Sequence, residues 1–372
     1  MKLTGLRVAA LAGGVGAARM LRGLCAVVGD RNVTAIVNTG DDTVLHGLYV
    51  CPDLDTVTYT LAGANNQATG WGLTGETWSV MEALAAFEPA AGYAAGELTW
   101  FSLGDKDLAT HLFRTGRLAG GATLSQVSAE VAARFGVQAR LLPMSDDRVE
   151  TRVLTRASLG RGRRFGGLGR GPLPAHGTTG EAPEAPGRGE GTGADNGPGG
   201  EVELSFQEYF VGHAHSVSVA ALRFAGAATA RPAPGALEAL READVVVICP
   251  SNPLVSIGPV LAVPGLAEAV AARRASTVAV SPIIAGRALK GPADRMLSEL
   301  GHEPSALGVA RIWAPVAANL VVDEADASLA PRVEAEGMAC TVTGTVMTGP
   351  AESARLATAA LEAALTSTRR AG

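Results

Sequence analysis

The amino-acid sequence predicts an α/β fold built on a doubly wound, mostly parallel sheet. Short apolar or β-branched runs alternate with segments rich in alanine and leucine, which is typical of successive β-α-β units. Glycine or polar residues follow several of these runs, as they do at the carboxyl ends of strands in parallel sheets. Hydrophobic residues make up 47% of the 372 residues, which is enough to build a large buried core.

The first β-α-β unit lies near the start of the chain. Arg7–Ala12 is an apolar run that predicts a strand, and Val33–Val37 predicts a second strand. Between them, Ala17–Val28 has the length and the alanine and leucine content of a helix. Further along, Leu98–Phe101 predicts another short strand.

The same alternation returns in the second half of the chain. Asp244–Cys249 and Ser276–Ser281 predict two more strands, whereas Ala293–Gly301 and Ala351–Ala364 predict helices. Residues 157–200 break the pattern, because 15 of these 44 residues are glycine and 5 are proline. Such a stretch cannot bury enough apolar surface to offset its chain entropy, so we expect a disordered surface insertion there.

Composition and charge exclude several classes of function. A net charge of -5 and an aromatic content of 4% argue against a nucleic-acid partner. The four cysteines form no C-x-x-C pair, which argues against a zinc ribbon and favours free thiols in a reducing compartment. The apolar run Leu254–Ala272 is interrupted by Pro259, Pro264 and Glu268, so we do not expect it to span a membrane. We therefore expect a cytoplasmic protein with small-molecule partners and no membrane partner.

A glycine-rich turn follows the first predicted strand. Gly13, Gly14 and Gly16 would let backbone N–H groups approach a phosphate at the start of the following helix. The alternative for these glycines is tight packing of strand against helix. No Gly-Lys-Ser/Thr follows, so this is not a P-loop. Asn38 ends the second strand, where a nicotinamide-binding fold prefers Asp or Glu, so we expect a nucleotide other than NAD.

Two acidic groups lie close to that turn in the sequence. Asp41 and Asp42 follow the second strand, and Asp53 and Asp55 begin the next helical segment. Four carboxylates beside a phosphate site would repel a polyanion, and a divalent cation such as Mg2+ would resolve the conflict. Helix capping and turn formation are the alternative roles of these residues. The sequence thus makes Asp41, Asp42 and Asp53 candidate magnesium ligands.

Other candidate binding residues lie in loops. Trp71, in a glycine-rich segment, could stack on a planar ring. Ser251, Asn252 and Ser256 follow the strand Asp244–Cys249 and could donate to a phosphate or read a base edge. These side chains and the first glycine turn would together form a nucleotide cleft.

Taken together, these motifs resemble the CofD-type 2-phospho-L-lactate transferases of coenzyme F420 biosynthesis. The resemblance covers residues 8–347 and is interrupted at the glycine-rich insertion. It is carried by blocks in the same order along the chain, which are Gly13–Gly16, Asn38–Asp42, Pro52–Thr56, Gly104–His111, Leu142–Asp147, Pro250–Pro253, Ser256–Pro259 and Ser281–Ile284.

The resemblance implies a Rossmann-like core formed by residues 1–137 and 236–372. It also implies a smaller α/β subdomain, residues 138–235, that contains the insertion, and a homodimer. The reaction implied is transfer of a phosphoenolpyruvyl or 2-phospholactyl group from a guanosine diphosphate-linked donor to the deazaflavin Fo, with release of GMP. Only three of the 31 basic residues are lysines, a bias of high-GC bacteria that makes the phosphoenolpyruvyl donor the preferred expectation.

The resemblance also implies roles for individual residues. Asp55 and Ser102 would contact the deazaflavin, and Asp41 would bind Mg2+. The glycine turn and the Ser251-Asn252 loop would form the guanosine donor site. Asp55 or Asp41 could take the proton of the attacking hydroxyl, and the residue types do not separate a base from a metal ligand.

Two other functions compete with this interpretation. A non-enzymatic nucleotide-sugar-binding regulator of the same superfamily would share the glycine turn and the core. An NAD-dependent oxidoreductase would share the fold, but Asn38 disfavours it. The block from Pro52 to Asp55 favours the transferase over the regulator.

Overall fold

The computed structural model describes residues 2–155 and 202–371. The predicted disordered insertion 157–200 lies outside these described residues. Within them, no helix combines the length and the apolar character needed to cross a membrane.

Seven strands form the central sheet, and every neighbouring pair is parallel. In spatial order the strands are β14 (Ala339–Val342), β13 (Asn319–Val322), β10 (Thr277–Val280), β9 (Val245–Ile248), β1 (Val8–Ala12), β2 (Val33–Val37) and β5 (Arg140–Pro143). The chain runs outward from β1 to β2 and β5 on one side, and to β9 and beyond on the other. The order therefore reverses between β1 and β9, which is where doubly wound sheets open a crevice for ligands.

Helices cover both faces of this sheet. They are α1 (Gly14–Val28), α2 (Pro52–Leu61), α3 (Ser79–Ala85), α4 (Asp105–Ala119), α5 (Leu124–Arg134), α6 (Ala236–Glu242), α7 (Gly258–Ala262), α8 (Leu266–Ala271), α9 (Ala293–Glu299), α10 (Ala306–Trp313), α11 (Ala330–Ala335) and α12 (Pro350–Ala371). Side chains of α1, α2, α5 and α12 join one buried apolar cluster against the sheet, and those of α6 to α11 join a second one. Two such layers confirm the predicted doubly wound α/β fold.

The remaining strands form smaller sheets. They are the hairpin β3 (Thr43–Leu45) and β4 (Leu48–Val50), the pair β11 (Ile283–Ile284) and β12 (Arg287–Ala288), and an antiparallel sheet of β6 (Glu150–Thr155), β7 (Val202–Ser205) and β8 (Val219–Ala225). In that last sheet β6 lies in the centre. The division of the chain at residues 138 and 235 stays a prediction.

Most of the predicted elements are present, but the predicted strand Leu98–Phe101 is wrong. This segment forms bends and pairs with no strand in the described part of the chain. The carboxylate of Glu88 accepts hydrogen bonds from the backbone N–H groups of Gly96, Leu98 and Thr99. A single buried side chain thus satisfies the donors that a neighbouring strand would otherwise satisfy.

Candidate functional site

A cavity of about 800 Å³ opens at the carboxyl ends of β1, β9 and β10. Most of the candidate residues predicted from the sequence line its wall, namely Gly13, Gly14, Gly16, Asp41, Asp53, Asp55, Trp71, Ser102, Ser251, Asn252 and Ser256. Asn38 and Asp42 are also buried, but they lie outside the lining. The fold therefore brings together residues that are up to 243 positions apart, as Gly13 and Ser256 are.

The glycine turn connects β1 directly to α1. Its shape requires glycine at position 16, because a Cβ there would lie 2.3 Å from the backbone oxygen of Pro250. Ser251 Oγ donates to the backbone oxygen of Gly13 at 2.9 Å, and Asp53 Oδ1 accepts from Gly14 N at 2.8 Å. Helix geometry leaves the N–H groups of the first turn without partners inside the helix, so this end of α1 offers donors and a partial positive charge to an anion.

Two of the predicted nucleotide-binding residues, Asn38 and Asn252, form hydrogen bonds that stabilise this end of the site. Asn38 Nδ2 donates to Asp53 Oδ2 at 2.9 Å, while Asn38 Oδ1 accepts from Gly40 N at 2.8 Å. Asn252 Oδ1 accepts from Leu254 N at 2.9 Å and caps the helical turn that follows. Asn252 also lines the cavity. Asn38 lies outside the lining and keeps Asp53 in position through its hydrogen bond.

Three buried carboxyls form an acidic cluster beside the turn: Asp41, Asp42 and Asp53. Burial and the charges of Asp53 and Asp42 raise the pKa of Asp41 well above its usual value. Burial likewise raises the pKa of Asp42. It raises the pKa of Asp53 to about 6, against the opposing effect of the hydrogen bonds from Asn38 and Gly14. In the absence of a cation, each charge in this cluster is therefore unfavourable.

The acidic cluster has the chemistry of a site for a hard divalent cation. Asp41 lines the cavity, and its Oδ1 has no hydrogen-bond partner among the described residues. Asp53 also lines the cavity and keeps lone pairs beyond its two hydrogen bonds. Gln207, after β7, holds Asp41 by donating to its backbone oxygen at 3.2 Å. Carboxylate oxygens of this kind suit Mg2+ as ligands. Asp42 lies outside the cavity lining and adds negative charge to the site.

Asp55 lies two residues after Asp53 on α2, in a different environment. The guanidinium of Arg114 contacts both of its carboxylate oxygens, one of them through an Nη1–Oδ2 distance of 3.1 Å. Burial raises the pKa of Asp55, but the positive charge of Arg114 opposes that shift. Asp55 therefore keeps a paired charge at the cavity wall, where it can accept a proton or a hydrogen bond from a ligand.

One face of α4 supplies residues that the sequence analysis did not select. Asp107, His111 and Arg114 recur at positions i, i+4 and i+7, so they lie on the same side of the helix. His111 Nε2 lies 3.4 Å from Asp107 Oδ2, and Asp107 Oδ1 accepts from Tyr59 OH at 2.6 Å. The spacing of these polar residues in the sequence could have indicated that they share one face of a helix. Their partner Asp55 lies on another helix, so the spacing could not indicate that contact.

Aromatic side chains also line the cavity, in two groups. Trp100 and Phe101 pack in one apolar cluster with Val50 and Leu108, whereas Phe206 and Phe210 pack in another with Val255. The rings of Phe206 and Phe210 stack with centroids 5.5 Å apart. Trp71 lies at the mouth with 48% of its surface exposed. Such a wall suits a flat aromatic ligand.

Two loops meet across the mouth of the cavity. Lys290 Nζ donates to the backbone oxygen of Thr69 at 3.0 Å, which connects the loop carrying Trp71 to the segment before α9. Ser102 lines the wall just before α4. The mouth is thus bounded by segments that are distant in the sequence.

The sequence of the chain matches a known protein family. Residues 8–343 match the model of the family described as 2-phospho-L-lactate transferase CofD. A phosphoenolpyruvate transferase of Kitasatospora aureofaciens is 44% identical over 358 residues, covering 96% of this chain and 97% of that protein. The phosphoenolpyruvate transferase of Streptomyces griseus is 42% identical over 360 residues, covering 96% of this chain and 98% of its own length. That of Mycolicibacterium smegmatis is 34% identical over 368 residues, with coverages of 96% and 99%.

A solved structure supports the fold independently. The crystal structure of protein BH3568 from Bacillus halodurans superposes with a TM-score of 0.53 at 17% identity, covering 96% of this chain and all of that one. At this identity the likeness concerns the fold alone. The family match and the relatives confirm the prediction of an enzyme over that of a non-enzymatic regulator. The chain belongs to the CofD family of 2-phospho-L-lactate transferases and is a transferase of coenzyme F420 biosynthesis.

Proposed function

We propose that the chain transfers a phosphoenolpyruvyl group from a guanosine diphosphate-linked donor to the deazaflavin Fo, releasing GMP and forming dehydro coenzyme F420-0. With the 2-phospholactyl donor the product would be coenzyme F420-0. The observation that carries this proposal is the composition of this cavity. Its lining combines an anion-binding helix start, buried carboxyls and aromatic side chains.

The donor would bind at the end formed by the glycine turn. The first turn of α1 would receive its phosphates, and Ser251, Asn252 and Ser256 line the neighbouring wall. Ser251 and Asn252 also hold the backbone of this region in place. The names of the relatives favour the phosphoenolpyruvyl donor over the phospholactyl one.

Magnesium would be held by Asp41 and Asp53, with Asp42 behind them. When bound, the cation would offset the negative charge of the diphosphate and of the developing transition state. Its charge would also offset the burial that raises the pKa of both carboxyls and the repulsion that adds to this shift at Asp41.

The acceptor Fo would stack on aromatic side chains of the cavity wall, with its side-chain hydroxyl near Asp55. The hydroxyl oxygen would attack the phosphorus that bears the three-carbon acid. A new P–O bond forms, the bond from that phosphorus to the bridging oxygen breaks, and GMP leaves with the bridging oxygen. Asp55 would take the hydroxyl proton, and Ser102 and Trp71 would help to position the ring. Catalysis would come mainly from orientation and charge.

We also propose that the protein acts as a cytoplasmic homodimer. The cysteines of the described residues are all free thiols, which suits a reducing compartment. A second copy would bind at the exposed apolar side chains of the neighbouring helices α3 and α4.

A mass-spectrometric assay tests the proposed reaction. Purified protein is mixed with Fo, Mg2+ and each guanosine donor in turn, and the charged deazaflavin product and GMP are quantified. Asp55→Asn keeps the shape of the side chain but removes its charge, and we expect it to lower kcat by about 10²-fold or more, the contribution typical of a general base.

Asp30→Asn is the matched control, because Asp30 lies on the surface far from the cavity lining. It should retain wild-type turnover. A folded wild-type protein that forms no product with either donor would refute the reaction. Full turnover by Asp55→Asn would remove Asp55 from the mechanism but leave the reaction standing.

A further inference from the structure

We propose that Arg114 is a positioning residue, which acts on catalysis through Asp55 without touching either substrate. The inference rests on the proposed function, because it requires Asp55 to meet the acceptor hydroxyl. It assigns a role to a helix α4 side chain that lies behind the cavity wall.

The first support is the geometry of the ion pair. Both terminal nitrogens of Arg114 contact Asp55, Nη2 on Oδ1 and Nη1 on Oδ2. A two-point contact of this kind fixes the plane of a carboxylate as well as its position. The lone pairs of Asp55 that Arg114 leaves free are therefore held in one direction relative to the cavity.

The second support is the location of the guanidinium. Arg114 is 3% exposed and does not line the cavity, although Asp55 does. Its charge is already engaged by Asp55, so Arg114 is poorly placed to bind a substrate phosphate directly. Its effect on the reaction must then pass through the carboxylate.

The third support is the set of hydrogen-bond acceptors around Arg114. Its Nη1 lies 3.2 Å from His111 Nδ1, and a guanidinium can only donate. Nδ1 is therefore the acceptor, which leaves the ring hydrogen of His111 on Nε2, an atom that lies 3.4 Å from Asp107 Oδ2. Nη1 also faces the backbone oxygen of Tyr49 at 3.3 Å, so acceptors from three segments hold the guanidinium.

A metal site is the competing interpretation of this cluster. Ligand atoms of Asp55, Asp107 and His111 lie within 4.8 Å of one another, close enough to surround an ion. A cation there would have to share Asp55 with the guanidinium of Arg114, and the two positive charges would repel each other. The positioning role requires no such conflict.

Arg114→Lys is the main test. Lysine keeps the positive charge but offers a single point contact in place of the planar fork. Misplacement of a reacting group by about 1 Å can cost about 10²-fold in rate, so we expect kcat to fall by about that factor. The KM values for both substrates should stay within about threefold of wild type. Arg117→Lys, on the same helix but paired with Glu130 at the surface, should keep wild-type kcat.

Arg114→Ala with added guanidinium ion supplies a readout that a purely structural residue would not give. Millimolar guanidinium can occupy the space left by the side chain and should restore kcat in a saturable manner, whereas Arg117→Ala should not respond. Circular dichroism and thermal unfolding verify that each variant is folded, and Arg114→Lys alone carries the test if Arg114→Ala is not.

Three results would overturn the proposal. They are a wild-type kcat for Arg114→Lys, a KM that rises by as much as kcat falls, or a folded Arg114→Ala that guanidinium does not rescue. If the wild-type protein itself makes no product, the proposed function fails, and this outcome is distinct from a failure of the Arg114 role.

Discussion

At the scale of single residues, Asp53 connects the glycine turn, the acidic cluster and helix α2. Its two oxygens accept from Gly14 and Asn38, yet burial still raises its pKa to about 6. An aspartate in the unfolded chain titrates near 4. Between these values the folded state binds more protons than the unfolded state, so the free energy of unfolding falls as pH rises.

The contribution of Asp53 to stability is thus fully present below about pH 4 and is lost as pH rises through about 6. We expect urea unfolding of metal-free protein to show this loss between about pH 4 and about pH 6. Asp53→Asn should remove that part of the pH dependence, and saturating Mg2+ should restore stability to the wild-type protein at pH 7.5. Identical pH profiles for the wild type and Asp53→Asn would contradict the assignment.

The residues of the site differ in how far the sequence could reveal them. The glycines and aspartates follow β1 and β2, and neighbouring parallel strands bring their carboxyl ends together, so their proximity was predictable. The pairing of Asp55 with Arg114 was not, because the two lie 59 positions apart on different helices. The bracing roles of Asn38 and Asn252 also depend on tertiary contacts. Residue types therefore indicated the chemistry available to the site, whereas the role of each residue depended on contacts between distant parts of the chain.

At the scale of elements, the site depends on the close approach of α1 to the loop after β9. A Cβ at Gly16 would lie 2.3 Å from the backbone oxygen of Pro250, and a backbone atom can give way only if the whole loop shifts. We expect Gly16→Ala to displace the loop that carries Ser251 and to weaken binding of guanosine diphosphate by at least about tenfold, equal to about 1.4 kcal/mol. Isothermal titration calorimetry with GDP and Mg2+ measures this change.

Gly116→Ala is the control for that substitution. Gly116 lies in the exposed interior of α4, and a Cβ there would meet no atom within 4 Å. The change should leave nucleotide binding intact and stabilise the protein by about 0.5–1 kcal/mol, because alanine is the better helix former. Unchanged GDP affinity in Gly16→Ala would show that the turn tolerates the displacement.

The elements also show where sequence patterns stop being sufficient. Four of the seven strands in the central sheet, β1, β2, β9 and β10, were predicted, because their apolar runs are long enough to be buried on both faces. Leu98–Phe101 has a similar composition, but the carboxylate of Glu88 takes its backbone donors and it joins no sheet. Composition predicts that a segment is extended and buried, and only the available partner decides whether it becomes a strand.

At the scale of the whole molecule, exposed apolar side chains concentrate on α3, on α4 and in the segment between them. Phe87 is 65% exposed and Leu112 is 60% exposed, and Val80 and Phe113 are also exposed. The two helices belong together, because Met81 and Leu108 are buried in the same apolar cluster. Groups of exposed apolar residues mark interaction surfaces, and the expected homodimer would use this one.

We therefore expect light scattering after gel filtration to give twice the chain mass of 37.7 kDa. Phe113→Glu would place a charge in the interface and should shift the protein to a monomer, because an unpaired buried charge is strongly unfavourable. Val342→Glu is the control, since Val342 is also apolar and exposed but lies on β14, at the edge of the sheet opposite β5. A dimer that survives Phe113→Glu but dissociates in Val342→Glu would move the interface to the β14 edge, and a monomeric wild type would exclude the dimer.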